Sequence, residues 1–243
     1  MLGALVLYLS TAVFAQQASS RVSDVNTHAW FMYFGDHKVS AKWGVHLEGQ
    51  LRRSDEGTAM QQLLLRPAVN YHLHPNVMLT AGYGYIRTYP YGDNPAATTF
   101  PEHRFYQQAL IRQPLGKVTL QHRYRLEQRF IGVTSPSTPG SSEVSSWRAQ
   151  DRFRYMVRAD LPIKGRWSMA AYDEFFVNFG RNLGPNQFDQ NRAYVAVGYT
   201  TGKLGRLEVG YMNQYLAQRT GRVVETNHTV QVGFYSSFPF RKR

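Results

Sequence analysis

The chain is predicted to be all-β: a transmembrane antiparallel up-and-down β-barrel of about twelve strands, with ten as the fallback. Three observations in its 243 residues carry that prediction. Apolar and polar residues alternate with a period of two through most of the chain, the mark of strands with two different faces. No segment sustains the apolar stripe of an amphipathic helix. The connections are short and long by turns. A membrane barrel sorts its loops in this way, with tight turns at one end and long loops at the other. A soluble sandwich, the rival architecture, has no reason to do so.

Taken in order, the alternating segments run near 27–34, 39–52, 60–72, 77–89, 102–112, 117–130, 148–160, 166–179, 188–200, 204–217 and 226–238. In the second, Val39, Ala41, Trp43, Val45, Leu47, Gly49 and Leu51 alternate with Ser40, Lys42, Gly44, His46, Glu48, Gln50 and Arg52. In the sixth, Leu120, His122, Tyr124, Leu126 and Phe130 share one face, and Thr119, Gln121, Arg123, Arg125, Glu127 and Arg129 share the other. Tight turns are expected at Gly35 to Lys38, His74 to Asn76, Pro114 to Gly116, Pro162 to Gly165 and Thr201 to Lys203. These are rich in residues that start or permit reversals. Long connections are expected at Arg53 to Ala59, Pro90 to Pro101, Ile131 to Ser146, Gly180 to Gln187 and Gln218 to Glu225. Aromatics gather near strand ends, among them Trp30, Phe34, Tyr71, Tyr91, Trp147, Trp167 and Tyr199, and are expected to form interfacial girdles. Eleven segments with an even strand count imply one more strand within Gln16 to Asn26, or a segment that threads the lumen.

Residues 1–15, MLGALVLYLSTAVFA, form an uncharged apolar stretch ending in a small-x-small pattern, and are read as a signal peptide, possibly truncated at its start. Residues 16–26 are the N-terminal segment or first short strand, and 27–240 the barrel domain. The expected compartment is the bacterial outer membrane. No run of about 18 apolar residues exists for a spanning helix. The absence of cysteine excludes disulfides, thiolate metal sites and a cysteine nucleophile. A net charge of +12 raises nucleic acid as a partner. The arginines, however, lie along many strands and form no compact patch or helix, so none is expected.

Several motifs resemble an uncharacterised bacterial outer-membrane barrel family, domain of unknown function 2490. They are Lys42-Trp43 followed by Leu47-Glu48 and Gln50-x-Arg52; Glu102-x-Arg104-x-Tyr106-Gln107-Gln108; and His122-Arg123-x-Arg125-Leu126-Glu127-Gln128-Arg129, the most specific. Arg152-x-Arg154-Tyr155, Gln190-Asn191-Arg192 and Gly210-Tyr211 extend the match. The resemblance implies a compartment and a fold, and no activity. The C-terminal segment, Gln231-x-Gly233 with Phe238, is similar to the signal read by the barrel-assembly machinery. It departs from that pattern at Ser236 and in Arg241-Lys242-Arg243.

The period assigns a charged set to the lumen: Glu48, Arg66, Glu102, Arg104, Arg123, Arg125, Glu127, Arg129, Arg148, Arg152, Arg154, Arg158, Glu174, Arg192, Arg206 and Glu208. Two functions fit it. One is a structural or narrow barrel filled by arginine–carboxylate ladders. The other is an anion-preferring channel for small acidic solutes, since arginine outnumbers glutamate on this face. A lipid-modifying enzyme is a further alternative, but Ser40 and His46 sit six residues apart along one strand and no nucleophile motif occurs. No catalytic residue, cofactor or metal is assigned. The expected partners are outer-membrane lipids and lipopolysaccharide, the assembly machinery and small anions, around a monomer.

Overall fold

The computed structural model describes residues 21–138 and 141–240, and the side chains of 136–142 lie outside that description. The residues expected to form the signal peptide also lie outside it. The alternation read from the sequence becomes eleven strands: β1 (Val22–Lys38), β2 (Trp43–Ser54), β3 (Ala59–His74), β4 (Val77–Thr88), β5 (Phe100–Leu115), β6 (Val118–Thr138), β7 (Ser141–Pro162), β8 (Trp167–Phe179), β9 (Phe188–Thr200), β10 (Arg206–Ala217) and β11 (Val223–Ser236). They close into a barrel in which each strand is flanked by its sequence neighbours and β1 meets β11.

Ten of the eleven contacts are antiparallel hairpins. The eleventh, β1 with β11, is parallel, in register from Val22↔Val223 to Gly35↔Ser236. That seam accounts for the strand number. A parallel ladder engages the same backbone donors and acceptors as an antiparallel one, so an odd number of strands closes with no free edge. The count falls between the two expected values. Residues 22–26 of the expected additional strand prolong β1, and 16–20 lie outside the described residues.

Two connections differ from the sequence reading. Gly35 to Lys38 belongs to β1, where His37 and Lys38 pair with Val45 and Gly44. The reversal comes later, at 39–42: Val39 and Ser40 donate their N–H groups to the Trp43 carbonyl, and the Ser40 hydroxyl accepts from Trp43 N–H. The long connection expected at Ile131 to Ser146 is mostly strand. β6 and β7 continue their ladder to Thr138↔Ser141, over a Thr-, Ser- and Val-rich stretch that suits extended backbone. The turns at Gly116, Gly165 and Gly202 have φ of +60°, +60° and +75°, which a side chain with Cβ resists.

The two faces of the wall differ. Outside, Leu47, Leu65, Val69, Phe105, Leu126, Met169, Val195, Val209 and Val230 are exposed. They make the outward face of many strands apolar. Trp43 packs on Tyr71 and Trp167 on Tyr199 at the short-turn end, and Trp147 packs on His103 at the long-loop end. Of the expected girdle aromatics, Trp30 and Phe34 are not on this surface. Trp30 is 2% exposed, inside the barrel. The inward set of β1 is Asp24, Asn26, His28, Trp30, Met32, Phe34 and Asp36, so parity along that strand puts both aromatics in the lumen. Phe34 stacks there on Tyr235 at 4.9 Å. Tyr91 is also no girdle residue; it lies in the β4–β5 loop and turns inward to donate to Glu225.

Candidate luminal site

All sixteen residues of the charged set stand on the inner wall, where alternation along each strand aims every second side chain inward. Most of them meet across strands. Glu127 is 0% exposed, at the centre. It accepts from Arg152 Nη2 at 2.6 Å and Arg154 Nη1 at 2.7 Å, with Arg104 at 3.5 Å and Arg125 at 3.8 Å. Glu102 holds Arg104 at 2.6 Å and Arg129 at 2.8 Å. Glu174 holds Arg123 at 2.7 Å and Arg154 at 2.8 Å, and Glu48 holds Arg66 at 2.7 Å. Glu208 meets Arg158 at 2.6 Å and Arg206 at 3.1 Å. Each guanidinium offers five donors in a planar fork, so it can bridge two carboxylates on different strands and brace the wall.

The remaining arginines have no carboxylate within 4 Å among the described residues. Arg192 donates Nε to Gln190 at 3.1 Å and stands over Phe176 at 4.7 Å and Trp30 at 5.1 Å. Arg148 keeps a buried Nε without a hydrogen-bond partner. Arg125, whose Nη1 lies 3.8 Å from Glu127, makes no hydrogen bond through that nitrogen. Three residues outside the predicted set complete the network. Arg52 lies 3.8 Å over the Trp30 ring and donates only to the neutral Gln50 and Gln62. Asp160 and Asp189 accept from Arg158 and Arg152. Arg52 was legible on the polar face of its strand; the two aspartates lie near strand ends, where the period weakens.

The side chains do not fill the barrel. A cavity of about 530 Å³ runs inside it, from Asp36, Arg112 and Arg206 near the short turns to Arg148 and Arg219 near the long loops. At the loop end Tyr91 lines it, and burial beside Glu225 raises this phenol above its ordinary pKa. Such an interior favours anions: guanidinium groups exceed carboxylates and several have only neutral partners.

Acid–base catalysis finds poor geometry here. His46 Nδ1 meets Asp36 at 2.8 Å, as the base of a hydrolytic triad would. Its Nε2, which would have to activate a nucleophile, faces the Glu48 carboxylate at 3.4 Å. The Ser40 hydroxyl is occupied at the β1–β2 turn.

Residues 27–225 match the family described as Protein of unknown function (DUF2490). An uncharacterized protein of Methylorubrum extorquens is 26% identical over 199 residues, covering 77% of this chain and 78% of its own length. Among solved structures, a NanC porin in a rhombohedral crystal form is similar at a TM-score of 0.47 and 10% identity, over 80% of this chain and 90% of that one.

Proposed function

The chain belongs to the DUF2490 family of proteins of unknown function, and from that premise we propose that it is a non-catalytic outer-membrane barrel whose braced lumen is a narrow passage preferring small anions. The observation that carries this reading is the cavity of about 530 Å³ lined by arginines that outnumber their carboxylate partners. The apolar outward face and aromatic belts support placement in a bilayer. Lipid chains cover that face, and lipopolysaccharide phosphates meet the loop-end arginines Arg181, Arg219 and Arg222. Five of the six lysines, Lys38, Lys42, Lys117, Lys164 and Lys203, lie at the short-turn end, suited to anionic headgroups of the inner leaflet. The assembly machinery engages β11 before the seam closes. The barrel works as a monomer.

Passage follows from the same groups that build the wall. The paired guanidiniums hold the strands at fixed spacing. Arg148 and Arg219 draw anions into the long-loop mouth, Arg52 and Arg192 offer charge at mid-depth, and Arg112 lies near the exit. None of these has a carboxylate within 4 Å among the described residues, so an entering anion displaces water and no internal salt bridge. The test is single-channel recording in a planar bilayer with a salt gradient. A reversal potential of the anion-selective sign supports the proposal. Cation selectivity overturns it, and a barrel that inserts but passes no current establishes the purely structural role.

A further inference from the structure

The inner wall of a membrane barrel is ordinarily polar. One sector of this lumen is not. Trp30 and Met32 of β1 pack with Tyr194 and Ala196 of β9 and Met212 of β10 into a buried apolar cluster. Phe34 and Tyr172 are half-buried against it. Trp30, Met32, Phe34 and Tyr172 also line the cavity, so the cluster has an open side.

Arg52 and Arg192 border that sector. Their guanidinium carbons lie 3.8 Å and 5.1 Å from the same Trp30 ring centroid, so they stand no further apart than those two distances together. Both line the cavity, and neither has a carboxylate within 4 Å among the described residues. The amide oxygens of Gln50 and Gln62 accept from Arg52, and that of Gln190 accepts from Arg192 Nε. Arg192 Nη1 and Nη2 donate to no protein acceptor among the described residues. Two like charges at this spacing repel, and neutral amides do not offset them. An incoming carboxylate offsets both, and the planar fork of a guanidinium matches its two oxygens.

We propose that this arginine pair and the apolar sector beside it form one binding site for an organic monocarboxylate with a hydrocarbon body, an aliphatic or aromatic acid. The carboxylate belongs with Arg52 and Arg192, and the body with Met32, Phe34 and Tyr172. Small-molecule sites are commonly of this kind, an apolar lining with a few polar groups that fix orientation. A polyhydroxylated acid of equal charge would set hydroxyls against methionine and aromatic side chains, where they lose hydrogen bonds to water. The inference rests on the anion-passage reading and narrows it: the solute is chosen by its hydrocarbon body as well as by its charge.

Of the four tryptophans, only Trp30 is buried; Trp43, Trp147 and Trp167 are exposed on the outer wall. With those three replaced by Phe, the emission of Trp30 in the full chain refolded in detergent reads the site. Cyclohexanecarboxylate is the probe, because it carries no interfering chromophore, and gluconate is its polar counterpart. The expected result is a saturable change with cyclohexanecarboxylate, and binding of gluconate weaker by about tenfold or more. Arg192→Gln should weaken cyclohexanecarboxylate about tenfold. Met32→Asn should weaken it too, with less effect on gluconate. Equal affinity for the two acids, or saturation with neither, overturns the proposal, and an anion-selective current recorded alongside leaves the passage reading standing. Saturable, selective binding by a barrel that passes no current supports the site and overturns passage instead. If a variant loses heat-modifiable mobility, equilibrium dialysis of the two acids against the native chain decides by the same criterion.

Discussion

Replacing Glu127 by Gln tests whether the luminal network is structural in the energetic sense. The carboxylate is 0% exposed and accepts three charged hydrogen bonds: Arg152 Nε at 2.9 Å, Arg152 Nη2 at 2.6 Å and Arg154 Nη1 at 2.7 Å. Gln keeps the shape and one acceptor oxygen. It also turns an NH₂ group towards a guanidinium and leaves Arg104, Arg125, Arg152 and Arg154 with one negative charge fewer. Breaking a buried pair by removing one partner costs about 3–5 kcal/mol. Arg104, Arg125, Arg152 and Arg154 line the cavity, where solvent would screen part of the charge left behind, so the lower end, about 3 kcal/mol, is expected. The assay is reversible urea unfolding in lipid vesicles, with the denaturant slope checked for constancy so that the midpoint reports stability. A loss below about 1 kcal/mol would refute the reasoning, because it would mean that solvent already neutralises the centre.

Leu126, 42% exposed on the outer face, is predicted to cost about 2–4 kcal/mol as Leu126→Arg. Its neighbour Arg125, 4% exposed and hydrogen-bonded to Gln108, should cost less as Arg125→Leu; the opposite order in the same urea assay would put the strand register off by one. Arg192→Glu should shift the reversal potential towards cations, since Arg192 faces the cavity without a carboxylate partner, and an unchanged potential would remove it from the conduction path. An epitope inserted at Gly221, in the long-loop end, should bind antibody on intact cells, and one at Gly116 should not; reversed labelling would invert the orientation.

How far the site was legible follows from how each part is encoded. Side-chain direction along a strand is local: successive Cβ atoms point to opposite faces, so Arg123, Arg125, Glu127 and Arg129 were placed on one wall by counting. Trp30 and Phe34 were misplaced because aromatic type was weighed above parity, which by itself puts both in the lumen. The turn after β1 was placed four residues early because Gly35 and Asp36 look like turn residues, whereas the pairing of His37 and Lys38 with β2 carries the strand past them.

Whether two charges meet is not local. Arg152 reaches Asp189 and Arg158 reaches Glu208, pairs 37 and 50 residues apart on strands that are not neighbours. Strand tilt and closure bring them together across the lumen, and neither has a sequence signature. The β1–β11 seam is the clearest case. An even strand count was a rule about hairpins, and only the closed barrel shows that the last gap is filled by a parallel ladder that sets Asp24 beside Glu225. The sequence by itself determined the class, the alternation and the charge of the lumen, because these rest on periodicity and composition. The tertiary structure decided the partners, the cavity and the seam, because these depend on how the sheet curls before its two edges meet.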